Sequence, residues 1–438
     1  MINILIIGSG AREHAIAKSL NQSAHQPNIY CCGTSHNPGI QDMAQAYWVG
    51  EITDIDKIIH QARHWQIEMA IIGPEAPLEC GLADALEECG IAVVGPKRQL
   101  AQIETSKGFT RDLMHKYSIP GLPEYKVFSN INGVADFLAE LGENNYVVKA
   151  NGLMAGKGVK VAGDHLHTYQ EAMEYCNEIF AQGQSLVIEE KLVGQEFSFM
   201  CFSDGITLVP MPLIQDNKRA YVDDKGPNTG GMGSYTAADH SLPFLSLSDV
   251  ETAWQINQLV VKALMAEMND KYVGILYGGF IATAKGVYVI EFNARFGDPE
   301  SLNVLSILES DFLDICVSLT NGTLQADKVR FSSKATVCKY TVPEGYPDNP
   351  VRQVEINIDK VTDKSYLYLA SVNAVDGSLY ATGSRTAAYV GVADSISAAE
   401  HIAEHAISCI KGPLFHRKDI GTSALINKRI EDMKRLRS

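Results

Sequence analysis

Residues 286–300 read GVYVIEFNARFGDPE and have the alternation of a half-buried β-strand. Successive side chains of a strand point to opposite faces, so Glu291, Asn293 and Arg295 are predicted to share one face. The other face is predicted to hold Tyr288, Ile290, Phe292 and Ala294. Two oxygen ligands and a guanidinium, about 6 to 7 Å apart on a rigid strand, can hold a hard divalent cation and the polyanion it neutralises. The strand indicates a magnesium-nucleotide site, although a strand with a polar solvent face explains this stretch alone equally well.

The composition restricts the class of protein. A chain of 438 residues is too long for one hydrophobic core, so two to four domains are expected. The formal net charge of -15 disfavours a broad nucleic-acid surface, which needs clustered Lys and Arg. Nine cysteines without a CxxC spacing predict neither a disulfide framework nor a zinc cluster. Because the chain shows no cleavable leader and no apolar run of about 18 residues, we expect a cytoplasmic protein without a membrane segment.

The first part of the chain, residues 1–103, has the pattern of a doubly wound parallel sheet. Apolar runs that are typical of strands alternate there with helical segments. The predicted strands lie at residues 2–7, 28–32, 69–72 and 92–95. A break at Pro120 and Pro123 predicts a hinge shortly after this unit.

The remaining residues divide into three predicted units. Residues 124–192 have the pattern of a compact α+β unit with a glycine loop after its second strand. This unit interrupts a larger central one, which consists of residues 104–123 and 193–327 and contains a long helix and the strand quoted above. Residues 328–438 are rich in strand signals and include a helix near the end. The predicted fold class is therefore a mixed α/β and α+β multidomain protein.

A helix is predicted to begin directly after the first strand, at GSGARE (residues 8–13). Backbone amides at such a helix N-terminus form an anion cradle, to which Arg12 would add a charged contact with a phosphate monoester. The stretch is an incomplete dinucleotide fingerprint, because Glu13 stands at the third glycine position and no acid ends the second strand. A tight turn without a ligand remains the alternative.

Two other strand ends carry polar groups. Gly73, Pro74 and Glu75 follow the third predicted strand, at the edge where doubly wound sheets bind ligands, and Glu75 could bind sugar hydroxyls. The strand end VIEEKL (residues 187–192) could present backbone donors and acceptors to a purine edge, with Glu196 placed for ribose hydroxyls. For each stretch alone, an ordinary turn or strand end is the simpler interpretation.

The stretch KANGLMAGKGV (residues 149–159) resembles a P-loop only superficially. Gly158 occupies the Ser/Thr position, and the next residues alternate as a strand rather than as a helix. A glycine loop that closes a β-hairpin can instead fold its amides over phosphates as a flap. Lys149 on the strand and Lys107 on the preceding helix can neutralise phosphate charge, and together with the loop they favour a site over solvated surface lysines.

A second glycine-rich region combines QDNKR (residues 215–219) with GPNTGGMG (residues 226–233). Carboxylate, cations and an amide-rich loop then lie within about twenty residues of each other, which favours a binding site over a mobile surface connection.

The complete set of motifs resembles that of the phosphoribosylamine-glycine ligase family, in the ATP-grasp superfamily, and the resemblance covers the whole chain. The motifs occur in the family's order: IGSGAREHA, IGPEAPL, KANGLMAGKGV, QDNKR, GPNTGGMGSY, EFNARFGDPE and HRKDIG. The resemblance implies an ATP-grasp fold and the second step of de novo purine synthesis. In that step ATP, glycine and 5-phosphoribosylamine give glycinamide ribonucleotide, ADP and phosphate through a glycyl phosphate. We expect a monomer that uses ATP and Mg²⁺ or Mn²⁺ and binds small molecules, but no nucleic acid or membrane.

The resemblance also implies roles for residues. Glu291 and Asn293 would hold the metal, with water and phosphate oxygens completing its coordination. Arg295 would orient the glycyl carboxylate and Asp216 its ammonium group, and with Lys149 these are the expected catalytic residues. The residues expected to bind ATP are Lys107, Lys149, Gly152, Gly156, Lys157, Gly158, Glu189, Glu190, Leu192 and Glu196. Those expected to bind the other substrates are Gly10, Ala11, Arg12, Glu13, Gly73, Pro74, Glu75, Asp216, Lys218, Asn228, Thr229, Gly230, Gly231, Met232, Arg295, Gly297 and Asp298.

The chain departs from the family pattern at a few positions. Ala11, Asn151 and Met154 stand where members commonly have Gly, Asp and Ala, and residues 301–303 read SLN instead of a Thr-Gln-Pro type. Asn151 removes a charge beside the phosphates, and SLN is expected to affect the glycine pocket.

Three other functions are compatible with parts of the sequence. A nicotinamide dehydrogenase rests only on Gly8 and Gly10, and an ATP-sensing regulator without turnover shares the nucleotide motifs. A related ligase that uses another acid is the nearest alternative.

Overall fold

The computed structural model describes residues 1–154 and 158–438. Its N-terminal unit is a five-stranded parallel sheet with strand order β3-β2-β1-β4-β5. The strands are β1 (Asn3–Ile7), β2 (Asn28–Gly33), β3 (Ala44–Val49), β4 (Met69–Ile72) and β5 (Ala92–Val94). The helices are α1 (Ala11–Asn21), α2 (Pro38–Gln41), α3 (Ile55–His64), α4 (Glu75–Cys80), α5 (Leu82–Glu88) and α6 (Arg98–Thr105). The predicted parallel sheet is confirmed.

One strand of this sheet is absent from the sequence prediction. The predicted strands β1 and β4 are buried on both faces and therefore read as continuous apolar runs, NILII and MAII. Strand β3, AQAYWV, pairs only with β2 and has no fully buried residue. An edge strand with partly exposed polar positions lacks the apolar run on which the prediction depends.

The next unit follows α7 (Lys107–Lys116) and is the compact α+β unit that the sequence predicts. Its elements are β6 (Tyr125–Phe128), α8 (Val134–Leu141), β7 (Tyr146–Ala150), β8 (Val159–Val161), α9 (Tyr169–Ala181) and β9 (Leu186–Glu190). The strands form a sheet in the order β6-β9-β7-β8, around a core that includes Leu138, Val148 and Ile188. Strands β7 and β8 pair antiparallel, with Lys149 opposite Val159, so the two strands that flank the glycine loop pair as predicted.

The central unit contains a four-stranded antiparallel sheet of order β11-β10-β16-β17. Its elements are β10 (Gly194–Asp204), β11 (Leu208–Pro210), β12 (Gln215–Asp216), β13 (Arg219–Tyr221), β14 (Lys225–Asn228), β15 (Gly233–Thr236), α10 (Leu247–Met268), β16 (Val273–Thr283), β17 (Gly286–Asn293), α11 (Glu300–Ser306) and α12 (Phe312–Asn321). The long predicted helix is α10, which begins with a capping box of Ser246 and Asp249. Part of the predicted loop at residues 226–233 is strand, because β14 pairs with β13.

The strict alternation predicted for β17 is interrupted in the structure. The register of β17 against β16 shifts between Gly279, opposite Glu291, and Phe280, opposite Val289. This β-bulge leaves Ile290 between the two pairs and resets the alternation. Val287, Val289 and Phe292 are buried, whereas Tyr288 and Ile290 are partly exposed. The prediction that Tyr288 and Ile290 share the core face with Phe292 and Ala294 is therefore wrong.

The C-terminal unit is β-rich, as predicted. Its elements are β18 (Ala335–Pro343), β19 (Val354–Ile356), β20 (Leu367–Leu369), β21 (Val372–Val375), β22 (Ser378–Ala381), β23 (Ala387–Ala393), α13 (Ile396–Cys409), β24 (Leu414–Phe415) and α14 (Ser423–Arg437). Strand β15 pairs with both β12 and β18, so this unit shares a sheet with the central one. Helix α14 is not predicted from the sequence, because its many charged residues hide the periodicity of the few apolar residues that pack. Among the described helices, none is long and apolar enough to cross a membrane.

Candidate active site

The polar face of β17 faces β10 and the segment that follows β12. Lys218 Nζ lies 3.5 Å from Glu291 Oε1 and 3.6 Å from Glu196 Oε2. Burial would raise the pKa of Glu291, but Lys218, Lys149 and Lys107 outweigh it and lower that pKa. Glu291 is therefore an anion held among cations. Asn293 lies two residues further along the same strand and is partly exposed.

Two predicted lysines approach this face from other elements. Lys149, on β7, is buried and donates to Ile290 O (3.2 Å), while its Nζ lies 2.6 Å from Glu189 Oε2. Lys107, at the start of α7, donates to Gly152 O at 2.8 Å, and Ala150 N donates to Gly158 O at 2.8 Å across the hairpin. Burial lowers the pKa of both lysines, although Glu189 and Glu291 act in the opposite direction. The predicted Gly156 and Lys157 lie outside the described residues.

Glu189 belongs to an ion cluster that also contains Arg111, a residue that is not predicted from the sequence. Arg111 donates to Glu189 Oε1 (2.7 Å) and Oε2 (3.0 Å), and also to the carbonyls of Val289 and Ile290. Burial alone would raise the pKa of Glu189, but Arg111 and Lys149 lower it to about 2. The one available signal is that Arg111 lies one helical turn after Lys107, on the same face of α7.

Replacing Glu189 with Gln is expected to lower the free energy of unfolding by about 3 kcal/mol, because two buried cations lose their counter-charge. The lowered pKa means that Glu189 stabilises the fold above its unfolded pKa, about 4.3, and loses this effect as the pH falls toward 2. Urea unfolding at pH 7 measures the difference. Glu190→Gln is the matched control, since the Glu190 carboxylate accepts only an exposed backbone N–H, that of Glu124, among the described residues. Equal effects of the two changes would contradict the prediction.

Arg295 lies between two acids where β17 ends. Its Nη2 is 2.8 Å from Glu104 Oε1, and its Nε is 3.5 Å from Glu75 Oε2. The buried Nε has no hydrogen-bond partner among residues 1–154 and 158–438. Burial raises the pKa of Glu104 to about 7, with Arg295 acting against it. Glu104 also accepts from Ala294 N at 2.7 Å. No sequence signal identifies Glu104, because only the folded chain brings α6 to the end of β17.

Asp216 is partly buried, and its carboxylate is not fully hydrogen-bonded. Its Oδ1 has no hydrogen-bond partner in the described part of the chain. Burial and the neighbouring Glu300 raise the pKa of Asp216 well above its usual range, against Lys218 and Arg385. Gly231 lies against this carboxylate with φ +108°, and a Cβ there would come within 2.6 Å of Asp216 Oδ1. Such close approach with a positive φ requires glycine at this position.

The N-terminal motif is connected to the same region. Glu13 accepts from Gly10 N and from Arg12 Nε, both at 2.6 Å, and a Cβ on Gly73 would clash with its carboxylate. Arg12 Nη1 donates to Phe296 O at 3.1 Å. The residues predicted at the ends of β1, β4 and β17 therefore lie together. Ala11 is fully buried at the start of α1.

The C-terminal unit contributes Arg385 to the candidate site. This residue donates to Gly230 O (2.7 Å) and Asp298 O (2.8 Å), and its Nη2 lies 3.1 Å from Asp298 Oδ2. Asp298 Oδ1 accepts from Tyr340 at 2.6 Å. Thr229 Oγ1 donates to Lys218 O at 2.8 Å, which ties the second glycine loop to the lysine that faces Glu291. No sequence motif identifies Arg385, since its partners lie far away along the chain.

Comparison with known proteins assigns the family. Models of the three phosphoribosylglycinamide synthetase domains match this chain: the N domain at residues 2–104, the ATP-grasp (A) domain at 105–301 and the C domain at 336–423. The chain belongs to this family. A phosphoribosylamine-glycine ligase of Methanosarcina barkeri is 50% identical over 436 residues and one of Methanocaldococcus jannaschii is 48% identical over 445, each comparison covering 100% of both chains.

Solved structures agree with this family. The crystal structure of a phosphoribosylamine-glycine ligase from Thermotoga maritima has a TM-score of 0.81 at 26% identity, and covers 96% of this chain and 100% of that one. A biotin carboxylase from Campylobacter jejuni has a TM-score of 0.73 at 13% identity, over 99% and 95% of the two chains, which shows the fold alone. The predicted ATP-grasp fold is confirmed, and the family is one of ligases that use ATP and a divalent metal.

Two of the departures from the phosphoribosylglycinamide synthetase pattern, Asn151 and Asn303, have local structural roles. Asn151 accepts from Gly108 N (3.2 Å) and donates to Ser185 Oγ (3.0 Å), so it fastens the start of α7 to the end of β7. Asn303 is buried and donates to Thr336 Oγ1 at 2.9 Å, which ties α11 to β18. Of the SLN residues, Ser301 alone keeps a buried hydroxyl without a partner among the described residues.

Proposed function

We propose that this chain joins glycine to 5-phosphoribosylamine with cleavage of ATP to ADP and phosphate, forming glycinamide ribonucleotide in the second step of de novo purine synthesis. One observation carries the proposal. A cation-surrounded Glu291 lies near a partly buried carboxylate, Asp216, and a partly buried guanidinium, Arg295, and each of these two keeps a buried polar atom without a hydrogen-bond partner in the described structure. Glu300 affects the pKa of both groups, so they lie in one region. A carboxylate and a guanidinium match the ammonium and carboxylate of glycine.

The proposed reaction has two steps. A glycine carboxylate oxygen attacks the γ-phosphorus of ATP and ADP leaves, which gives glycyl phosphate. The amine of phosphoribosylamine then attacks the acyl carbon, the bond between that carbon and the phosphate oxygen breaks, and phosphate leaves with the proton that the amine gives up. Lys107 and Lys149 disperse charge on the transferring phosphoryl group, while Arg295 and Asp216 orient glycine. No side-chain nucleophile is required.

The residues present fit a hard divalent cation. The lowered pKa of Glu291 keeps a carboxylate available, and Asn293 offers an amide oxygen on the same strand. We propose that these two residues hold Mg²⁺ or Mn²⁺, with water and phosphate oxygens completing the coordination. Such an ion supplies charge neutralisation on the phosphates.

The other proposed contacts divide by substrate. ATP is held by Lys107, Lys149 and the glycine loop with Gly152, Gly156, Lys157 and Gly158, and by Glu189, Glu190, Leu192 and Glu196. The ribose phosphate is held at residues 10–13 and 73–75, with Lys218 and loop 228–232 around the sugar and Gly297 and Asp298 beside it. We also propose that the protein works as a cytoplasmic monomer without nucleic acid, divided into units at 1–103, 104–123 with 193–327, 124–192 and 328–438.

The decisive test is product formation. Purified protein with ATP, Mg²⁺, glycine and freshly made phosphoribosylamine should release ADP only when both co-substrates are present. Tight ATP binding without ADP release would support a sensor instead. Turnover with formate or alanine in place of glycine would indicate a related ligase, and NADH binding would favour a dehydrogenase.

Replacing Arg12 with Ala is expected to raise the KM for phosphoribosylamine about 30-fold, because a charge-assisted contact to its phosphate is lost, while the KM for ATP stays unchanged. Steady-state kinetics with each substrate varied in turn measure the two values. Lys18→Ala, on the same helix but paired with the carbonyls of Lys364 and Ser365, is the control. Equal losses for both substrates would show that Arg12 acts only through its contacts with Glu13 and Phe296.

A further inference from the structure

Helix α14 carries one arginine whose contacts lead back to the candidate site. Arg429 Nη1 donates to Gln195 Oε1 at 2.9 Å, and Arg429 Nη2 donates to Asn217 Oδ1 at 2.8 Å and to Asp224 Oδ2 at 3.1 Å. The Arg429 side chain is only 12% exposed. One guanidinium thus binds strand β10, the segment that follows β12, and the connection between β13 and β14.

The residues that Arg429 grips alternate with proposed site residues. Asn217 lies between Asp216 and Lys218, and Gln195 directly precedes Glu196. In extended chain, neighbouring side chains point to opposite faces. The contacts agree with this alternation, because Lys218 and Glu196 meet each other while Asn217 and Gln195 meet Arg429.

Of the two residues, Asn217 and Gln195, that connect Arg429 to the site strands, Asn217 makes more hydrogen bonds. It is 1% exposed, and its Nδ2 donates to Gly233 O at 3.2 Å while its Oδ1 accepts from Arg429. Its backbone N–H donates to Gly233 O, and its carbonyl accepts from Met232 N, both at 2.9 Å. The guanidinium therefore fixes the orientation of an amide that holds the end of the second glycine loop.

We propose that Arg429 is a positioning residue, which sets the placement of Asp216, Lys218 and Glu196 from the back of their strands without touching substrate. The inference rests on the proposed function, since it takes these three residues as substrate contacts. A shift of about 1 Å in such groups can lower the rate of a bound reaction about 100-fold.

Helix α14 offers a matched control. Arg437 on the same helix makes an equally good ion pair, with Nη1 and Nη2 at 2.8 and 2.7 Å from the Asp249 carboxylate, and it donates to Thr283 O at 3.1 Å. Asp249 lies at the start of α10 and is not a proposed site residue. Loss of either arginine weakens the docking of α14, but only Arg429 contacts the back of the site strands.

The test compares Arg429→Met with Arg437→Met by kcat/KM for glycine, by ADP affinity in calorimetry and by Tm. We expect similar losses of Tm, a fall of about 100-fold in kcat/KM and weaker ADP binding for Arg429→Met alone. Arg429→Lys keeps the charge but not the planar set of guanidinium donors. Its kcat/KM and ADP affinity should therefore lie between those of wild type and Arg429→Met. Unchanged kcat/KM and ADP affinity in Arg429→Met would overturn the inference and leave Arg429 as a fastener of α14. If wild type shows no ligase turnover, the proposed function fails, and the ADP affinities alone decide the positioning role.

Discussion

Replacing Glu291 with Ala is expected to lower kcat by about 1,000-fold or more while the protein stays folded, because the change removes an anionic oxygen ligand from the polar face of β17. The fold should tolerate the loss of the Glu291 side chain. That side chain is 38% exposed, and among the described residues its one ion pair is with Lys218 at 3.5 Å. Kinetics over a range of Mg²⁺ concentrations, with circular dichroism for the fold, measure the effect.

Glu196→Ala is the control for this prediction. It distinguishes the loss of a metal ligand from the loss of an anion that pairs with Lys218. Glu196 lies 3.6 Å from the same Lys218 Nζ, but on β10. Its loss removes a similar negative charge without removing the proposed metal ligand. We expect this control to raise the KM for ATP with little change in kcat, since its proposed role is binding the ribose. Near-normal turnover of Glu291→Ala with unchanged Mg²⁺ dependence would defeat the assignment of Glu291.

The sequence predicts this fold well where structure is local. The strands of the parallel sheet, the pairing of β7 with β8 and helix α10 follow from apolar runs, glycine position and helical periodicity. Strand β3 and helix α14 are missed because their polar positions are partly exposed. The bulge at Ile290 is missed because it depends on the register against β16, which strict alternation does not encode.

For the candidate site, the residues on motifs are recognised from sequence and their partners are not. Arg295, Lys149 and Asp216 stand in recognisable motifs, whereas Glu104, Arg111 and Arg385 become neighbours only through packing. Each of these partners sets the charge or orientation of a motif residue. The pairing of ions across units is a long-range property, which the local pattern of one sequence does not contain.

Replacing Asp216 with Asn is expected to raise the KM for glycine by about 1,000-fold, because the substrate ammonium would then be buried against a neutral amide instead of a carboxylate. Unlike most losses of this size, the change should not destabilise the protein. Asp216 Oδ1 has no hydrogen-bond partner in the described structure, and burial with Glu300 nearby raises the pKa of Asp216 well above its usual range. Asparagine has the same shape and carries no charge that burial would penalise.

The raised pKa gives the stability comparison a definite sign. As the pH rises above the unfolded pKa of about 3.9, the unfolded chain releases the Asp216 proton while the folded chain retains it, so wild type loses stability that Asp216→Asn does not lose. The variant should therefore match wild type in stability near pH 4 and equal or exceed it at pH 7, as thermal unfolding at the two values can measure.

A contrasting variant and a proton count complete the test of Asp216. Asp298→Asn breaks an ion pair with Arg385 and weakens a hydrogen bond from Tyr340, so it should lower Tm, whereas Asp216→Asn should not. At a pH low enough for free Asp216 to hold its proton, glycine binding to wild type should also release that proton, because the bound ammonium favours the carboxylate. Calorimetry in buffers of different ionisation enthalpy detects this release, which Asp216→Asn should lack. An unchanged KM for glycine in Asp216→Asn would assign the ammonium site to another acid.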